Sequence, residues 1–202
     1  MSGATAYELW LTSDTGERLA ILERAVSFTY THATGGLGFF SVTLPGTFPR
    51  QFLDTTRRVL FFRKPSGGAM ALDFVGFIRR VVASTDANNQ LTRTISGNGP
   101  NWLLDGRIVY ASAGSPGAEK TGDADDLMKA MVREQMGASA ATARALLSTF
   151  FSVQADSSMG PTITKAFAYR PVLDVLQELT QIARQAGVET FWEIRPLDTT
   201  RF

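Results

Sequence analysis

For nearly its first hundred residues the chain alternates side-chain character in short runs, each cut off by a turn cluster. That pattern leaves room for little except antiparallel strands. Tyr7, Leu9 and Leu11 alternate with Glu8, Trp10 and Thr12, the period of two that sends successive side chains to opposite faces of a strand. Ser13-Asp14-Thr15-Gly16 makes a turn, and residues 18–22 resume the alternation. Val26, Phe28 and Tyr30 then alternate with Ser27, Thr29 and Thr31. After a loop with Gly35-Gly36, Phe40, Val42 and Leu44 alternate with Ser41 and Thr43 until Pro45-Gly46. Residues 59–62 are apolar on both faces, which predicts a central or doubly covered strand. Beyond Pro65-Ser66-Gly67-Gly68, the longest strand runs over about 70–83. Gly76 in its interior predicts a bulge or a sharp bend. Asp86-Ala87-Asn88-Asn89 turns the chain into a strand over 91–95. Such spacing predicts a small antiparallel barrel or sandwich.

The pattern changes at Ser96-Gly97-Asn98-Gly99-Pro100. Gly97-Asn98-Gly99 lacks the third glycine and the βαβ setting of a dinucleotide fingerprint, so it reads as a strand-to-helix turn. Pro100 suits the first turn of a short helix through Trp102, Leu103 and Leu104 that Gly106 ends. Residues 107–110 read as a short strand, and 111–122, rich in Gly, Ala and Ser, as an exposed loop. Asp123 is the expected N-cap of a helix whose Leu127, Met128, Met131, Val132 and Met136 form one apolar stripe before Gly137. Core packing is the first reading of that Met-rich stripe and a subunit interface the second. The alanine-rich 138–147 is ambiguous, and 150–153 and 162–168 read as strands flanking a turn. Pro171 opens the clearest helix. Val172, Val175, Leu176, Leu179, Ile182, Ala183 and Ala186 share its buried face, and Gly187 stops it. Residues 188–194 read as a last strand, closed by Pro196. The whole predicts an α+β fold: a mainly antiparallel β-barrel domain over 1–97, then a smaller α+β domain over 98–202. Trp102, Leu103, Leu104 and Arg107 mark the expected domain junction, with the short helix burying against the barrel.

What the chain lacks narrows its chemistry. It has no cysteine, which excludes a disulfide framework, a thiolate nucleophile and Cys-ligated zinc or iron–sulfur sites. One histidine in 202 residues excludes a metal site that needs two imidazoles from one chain. Lys+Arg 20 against Asp+Glu 19 argues against a general nucleic-acid binder. The 44% hydrophobic content supplies a buried core and argues against disorder. No apolar run reaches the roughly 18–20 residues of a membrane span, and no basic-then-apolar leader opens the chain. Neither a membrane anchor nor a signal peptide is therefore expected.

Each chemical candidate has a plain alternative. His32, the sole imidazole, stands near a strand end without a G-x-S-x-G elbow, so it reads as an ordinary strand-end residue. Asp123, Asp125 and Asp126 resemble a metal or glycosidase cluster. They lie at a helix N-terminus, where carboxylates stabilise by about 0.3–1 kcal/mol each, and capping accounts for them. An EF-hand loop starting at Asp123 would close on Glu134. It fails because Leu127 stands at a ligand position and Met128 where glycine is needed. No catalytic residue, metal ligand or cofactor contact is expected. Arg57, Arg58, Arg63, Lys64, Arg79 and Arg80, interleaved with Phe61, Phe62 and Phe77, have the composition of an oligonucleotide-binding face. Strand alternation spoils it by sending Arg57 and Arg58, and likewise Arg79 and Arg80, to opposite faces. Arg57, Arg58, Arg63, Arg79 and Arg80 are better read as oligomer-interface or strand-edge charges.

Three segments carry a resemblance. These are "RTISGNGPNWLLDGRIVY" (93–110), "DADDLMKAMVREQMG" (123–137) and "YRPVLDVLQELTQIARQAGVETFWEI" (169–194). Behind a barrel of about a hundred residues, this order resembles the N-terminal part of the baseplate-hub, or tail-tip, proteins of long non-contractile-tailed bacteriophages. The most telling piece is 97–107, where a glycine precedes Leu103-Leu104 and Arg107 opens the next strand. The resemblance implies a structural subunit in the virion, at the tail tip, assembled in the host cytoplasm and taking part in host cell entry. It implies a homotrimer that closes the tail tube. The implied partners are the distal tail protein ring, the tape-measure protein and other tail-tip or fibre proteins. Neither a cofactor nor an enzymatic activity is implied for these residues. The alternatives are a tail-delivered cell-wall hydrolase module and an oligonucleotide- or carbohydrate-binding barrel.

Overall fold

A computed structural model describes residues 6–85, 89–110, 117–146 and 149–202. Residues 86–88 of the expected turn at 86–89 and residues 111–116 of the expected loop at 111–122 lie outside the described residues. The alternating runs form seven strands: β1 (Ala6–Thr12), β2 (Arg18–Ile21), β3 (Ser27–Thr31), β4 (Phe39–Pro45), β5 (Arg58–Lys64), β6 (Ala71–Thr85) and β7 (Leu91–Asn98). They make one antiparallel sheet in the order β2-β1-β5-β6-β7-β4-β3. The doubly apolar β5 does lie inside it, between β1 and β6. One face of the sheet collects the core, with Leu9, Leu11, Phe40, Val42, Leu44, Val59, Phe61, Phe74, Ile78 and Ile95 all buried.

The sheet curls back on itself. Phe28 and Tyr30 belong to β3, an edge strand four places from β5, yet their rings lie 5.0 and 5.1 Å from Phe61 of β5. The Tyr30 ring also lies 5.0 Å from Phe74, tilted against it, and its hydroxyl donates to Asp73 Oδ2 at 2.5 Å. The hydrogen bond to Asp73 and burial both disfavour the phenolate, and the Tyr30 pKa is raised, burial being the larger cause. Among the described residues no ladder joins the two edge strands β2 and β3, so the domain is a half-barrel rather than a closed one.

Two glycines play roles other than those expected. No register shift falls at Gly76, which pairs with Val59. A Cβ there would place three atoms of the buried Phe40 ring within 3.0 Å, so the absent side chain makes room for that ring. Gly97 is not a turn residue but part of β7, opposite Phe40 and Ile78. A Cβ there would overlap the Phe77 carbonyl. The register shifts lie elsewhere, between Phe61 and Phe62 and between Ile78 and Arg80.

The chain divides into two compact units. The sheet unit comprises the chain up to Ala33, Leu37–Pro100 and Arg195–Thr200; the other comprises Thr34–Gly36, Asn101–Ile194 and Arg201–Phe202. The second unit contains α1 (Trp102–Asp105), β8 (Ala118–Asp123), α2 (Ala124–Gln135), β9 (Thr162–Phe167) and α3 (Val172–Gln185). The apolar stripes meet as their periodicity requires, with α2 packed on α3 and α1 on α3. Leu127, Met131, Leu176 and Leu179 are buried in that unit. No described helix is long and apolar enough to cross a membrane.

Local expectations fail where pairing is long-range. Residues 118–122, read as loop, form β8 together with Asp123 because β9 pairs with them along their whole length. Residues 188–194 form no strand. Their backbone is held one bond at a time, with Gly35 N donating to Trp192 O (2.9 Å) and Ile194 N to Asn101 Oδ1 (2.7 Å). Residues 107–110 make only an isolated bridge, Ile108 with Pro171. The segment read as a strand at 150–153 is likewise unassigned; two backbone bonds tie Phe150 and Ser152 to Phe202. The described part of 138–147 is a series of turns, not a helix.

Candidate functional site

The densest polar cluster in the second unit grows from the first turn of α2. Asp123 occupies the N-cap position, but its side chain makes no capping bond. Its Oδ1 accepts from the Thr162 hydroxyl instead, at 3.1 Å. The helix is capped by backbone: Ala124 N donates to Pro161 O (3.1 Å) and Asp125 N to Met159 O (3.3 Å). These bonds satisfy donors that a helix N-terminus leaves open. Asp123 thus stands at the expected N-cap without the expected capping bond, while Asp125 and Asp126 do lie in the first turn of the helix, where its positive end favours carboxylates.

The other two carboxylates hold the 155–159 loop. Asp125 accepts from Lys129 Nζ (2.8 Å), the Ser157 hydroxyl (2.6 Å) and Met159 N (2.6 Å). Asp126 Oδ1 accepts from Ser157 N (2.9 Å) and Ser158 N (3.2 Å). Lys129 also donates to Ala155 O at 2.9 Å, and Arg133 Nη2 donates to both oxygens of Asp156 at 2.7 and 3.0 Å. Burial raises the Asp125 pKa, but the bonds from Lys129, Ser157 and Met159 outweigh it. Together they hold the carboxyl well below the usual range. A carboxylate so engaged is a structural acceptor rather than a proton donor. Among the described residues no group of three or more His, Asp or Glu side chains is placed to hold a metal ion.

The remaining candidates are dispersed. His32 is exposed just past the end of β3. Arg58 is buried: its guanidinium donates to Asp14 O and lies 5.4 Å from the Phe77 ring. Arg57 is half-buried. Arg63 pairs with Asp73 of the neighbouring strand at 3.0 Å and keeps about half its side chain exposed. Arg79 and Arg80 do not follow strict alternation. The register shift beside them sets two residues against one, and both are exposed. Leu104 is buried, Trp102 and Leu103 half-buried, and the described partner of their helix is α3 of the same unit. Arg107 is half-buried, and its carbonyl accepts from Val172 N at 2.7 Å.

Sequence reasoning missed three partners that define the acidic cluster: Ser157 and Ser158, loop polars some thirty residues from the aspartates, and Lys129, one helical turn after Asp125, where the i,i+4 spacing was the available signal. It also missed Tyr169, whose φ of 54° is left-handed. The Arg170-Pro171 pair after it was the available signal that the chain bends there before α3.

A family model described as siphovirus ReqiPepy6 Gp37-like protein matches residues 7–196, spanning both units. No curated protein matches the chain. The family match supports a phage structural protein, a component of the virion.

Proposed function

Because the chain belongs to the siphovirus ReqiPepy6 Gp37-like family, we propose that it is a structural subunit of the phage tail tip, a baseplate-hub protein. In this reading three copies close the end of the tail tube below the distal tail ring and contact the tape-measure protein and other tip components. The chain acts by assembly and not by catalysis. The single observation that carries the reading is the family match over nearly the entire chain. Two features agree with it. Among the described residues β2 and β3 are the edge strands of the half-barrel, and open edges pair with other chains unless blocked. The carboxylates that most resemble a catalytic cluster are committed to holding a loop.

The test is to label the chain in purified particles and locate it by electron microscopy. A peptidoglycan-clearing assay on the purified protein runs beside it. Density at the tail tip with no clearing is expected. Clearing that disappears in Asp125→Asn while the fold persists would favour a tail-delivered hydrolase and overturn the proposal.

A further inference from the structure

Tyr169 is held at a cost the fold does not recover. A left-handed φ in a bulky residue is a genuine outlier, which glycine would occupy without strain. The residue is 70% exposed, so little burial offsets the strain. A side chain that the fold would be easier without points to a contact outside the chain. Two more exposed apolar residues stand beside it. Val109 accepts from Tyr169 N at 2.9 Å and donates to Arg170 O at 2.8 Å, and its neighbours Ile108 and Tyr110 are both exposed. The surroundings are basic. Arg144 donates to Ile108 O and lies 5.8 Å from the Tyr110 ring, and Lys165 and Arg170 share the single carboxylate of Glu178.

The same unit carries the complementary chemistry past the other end of α3. Phe191 is 71% exposed, and Glu189, two residues before it, keeps its carboxylate mostly in solvent beside Arg184. Tyr169 precedes α3 and Glu189 follows it, and a helix of 14 residues is roughly 21 Å long. Among the described residues, both Tyr169 and Phe191 stand exposed. We propose that the Ile108–Tyr110–Tyr169 patch of one copy receives the Glu189–Phe191 segment of the next. Apolar rings meet, and the acidic residue faces the basic rim. Two different patches joined head to tail generate a ring when the rotation closes. The inference rests on the reading of the chain as a ring-forming subunit and names the surfaces that would join its copies.

The absence of cysteine makes the test direct. Full-length Tyr169→Cys and Phe191→Cys chains are oxidised separately and as an equal mixture. The mixture should give at least ten times more covalent dimer than either variant alone. No excess in the mixture, or efficient dimerisation of Tyr169→Cys by itself, overturns the inference. A second arm uses Tyr169→Gly, which should keep or raise the melting temperature while weakening self-association at least ten-fold in sedimentation. A clear fall in melting temperature would show that the ring serves the fold, and would also overturn it. The two readings fail separately. Absence of the chain from virions refutes the tail-tip role whatever the cross-link shows, and absence of the cross-link in a chain found in virions refutes only the pairing.

Discussion

Replacing Gly76 by alanine tests whether the half-barrel core is as tight as its geometry indicates. The added Cβ would lie within 3.0 Å of three atoms of the Phe40 ring. Ordinary carbon contacts sit at about 3.5–4.0 Å, so the ring must retreat by about 1 Å. Phe40 has nowhere easy to go: it is 1% exposed, and the Phe74 ring lies 6.2 Å away edge-on. Overpacking of this kind costs about 1–3 kcal/mol, and a rigid ring belongs at the upper end. Alanine recovers roughly 0.5–1 kcal/mol of backbone entropy that glycine loses in a strand. The net expectation is a loss of about 2 kcal/mol, a fall of roughly 4–8 °C in melting temperature for a chain of this size. The assay is thermal and urea unfolding of the full chain, followed by circular dichroism. Phe40→Leu in the Gly76→Ala background should restore at least half of the loss, because the two changes share one space. A Gly76→Ala protein within about 0.5 kcal/mol of the parent, the range of surface changes, would refute the reasoning. So would a double variant with no rescue.

Leu104→Ala removes a buried side chain from the helix that packs on α3 and should cost about 2–5 kcal/mol, read by urea unfolding. Asp125→Asn loosens the 155–159 loop and should cost about 1–3 kcal/mol, with faster proteolytic nicking there as the independent readout. Because the Asp125 carboxyl is held below its usual value of 3.8, its contribution is fully present above that value. It should be lost as pH falls further, so melting temperature should drop below about pH 4 more steeply in the parent than in Asp125→Asn. His32→Ala should change stability by less than about 0.5 kcal/mol, since the residue is exposed at a strand end.

The strands that alternate visibly were legible because their pattern is local. Residues 7–12, 28–31 and 40–44 keep one face apolar, and each becomes a strand of the curled sheet. Both long helices were legible through apolar stripes of several turns. Features set by distant partners were not. Residues 118–122 look like a polar loop until β9 pairs with them, and 188–194 look like a strand but find no ladder. Gly76 and Gly97 have a local meaning as breakers, whereas their actual role is close approach to Phe40 and to the Phe77 backbone. The acidic trio was visible as a cluster, but its purpose depends on Ser157, Ser158 and Met159, which only the folded chain brings to it.

The central claim is that this chain is a structural part of the tail tip, and a reconstruction of the intact tail from purified particles tests it most directly. Three copies arranged around the tail axis at the tube end, with the half-barrel and the helical unit each fitting the density, are the predicted result. A tail tip whose density accommodates neither unit, in particles that also lack the chain by mass spectrometry, would contradict it.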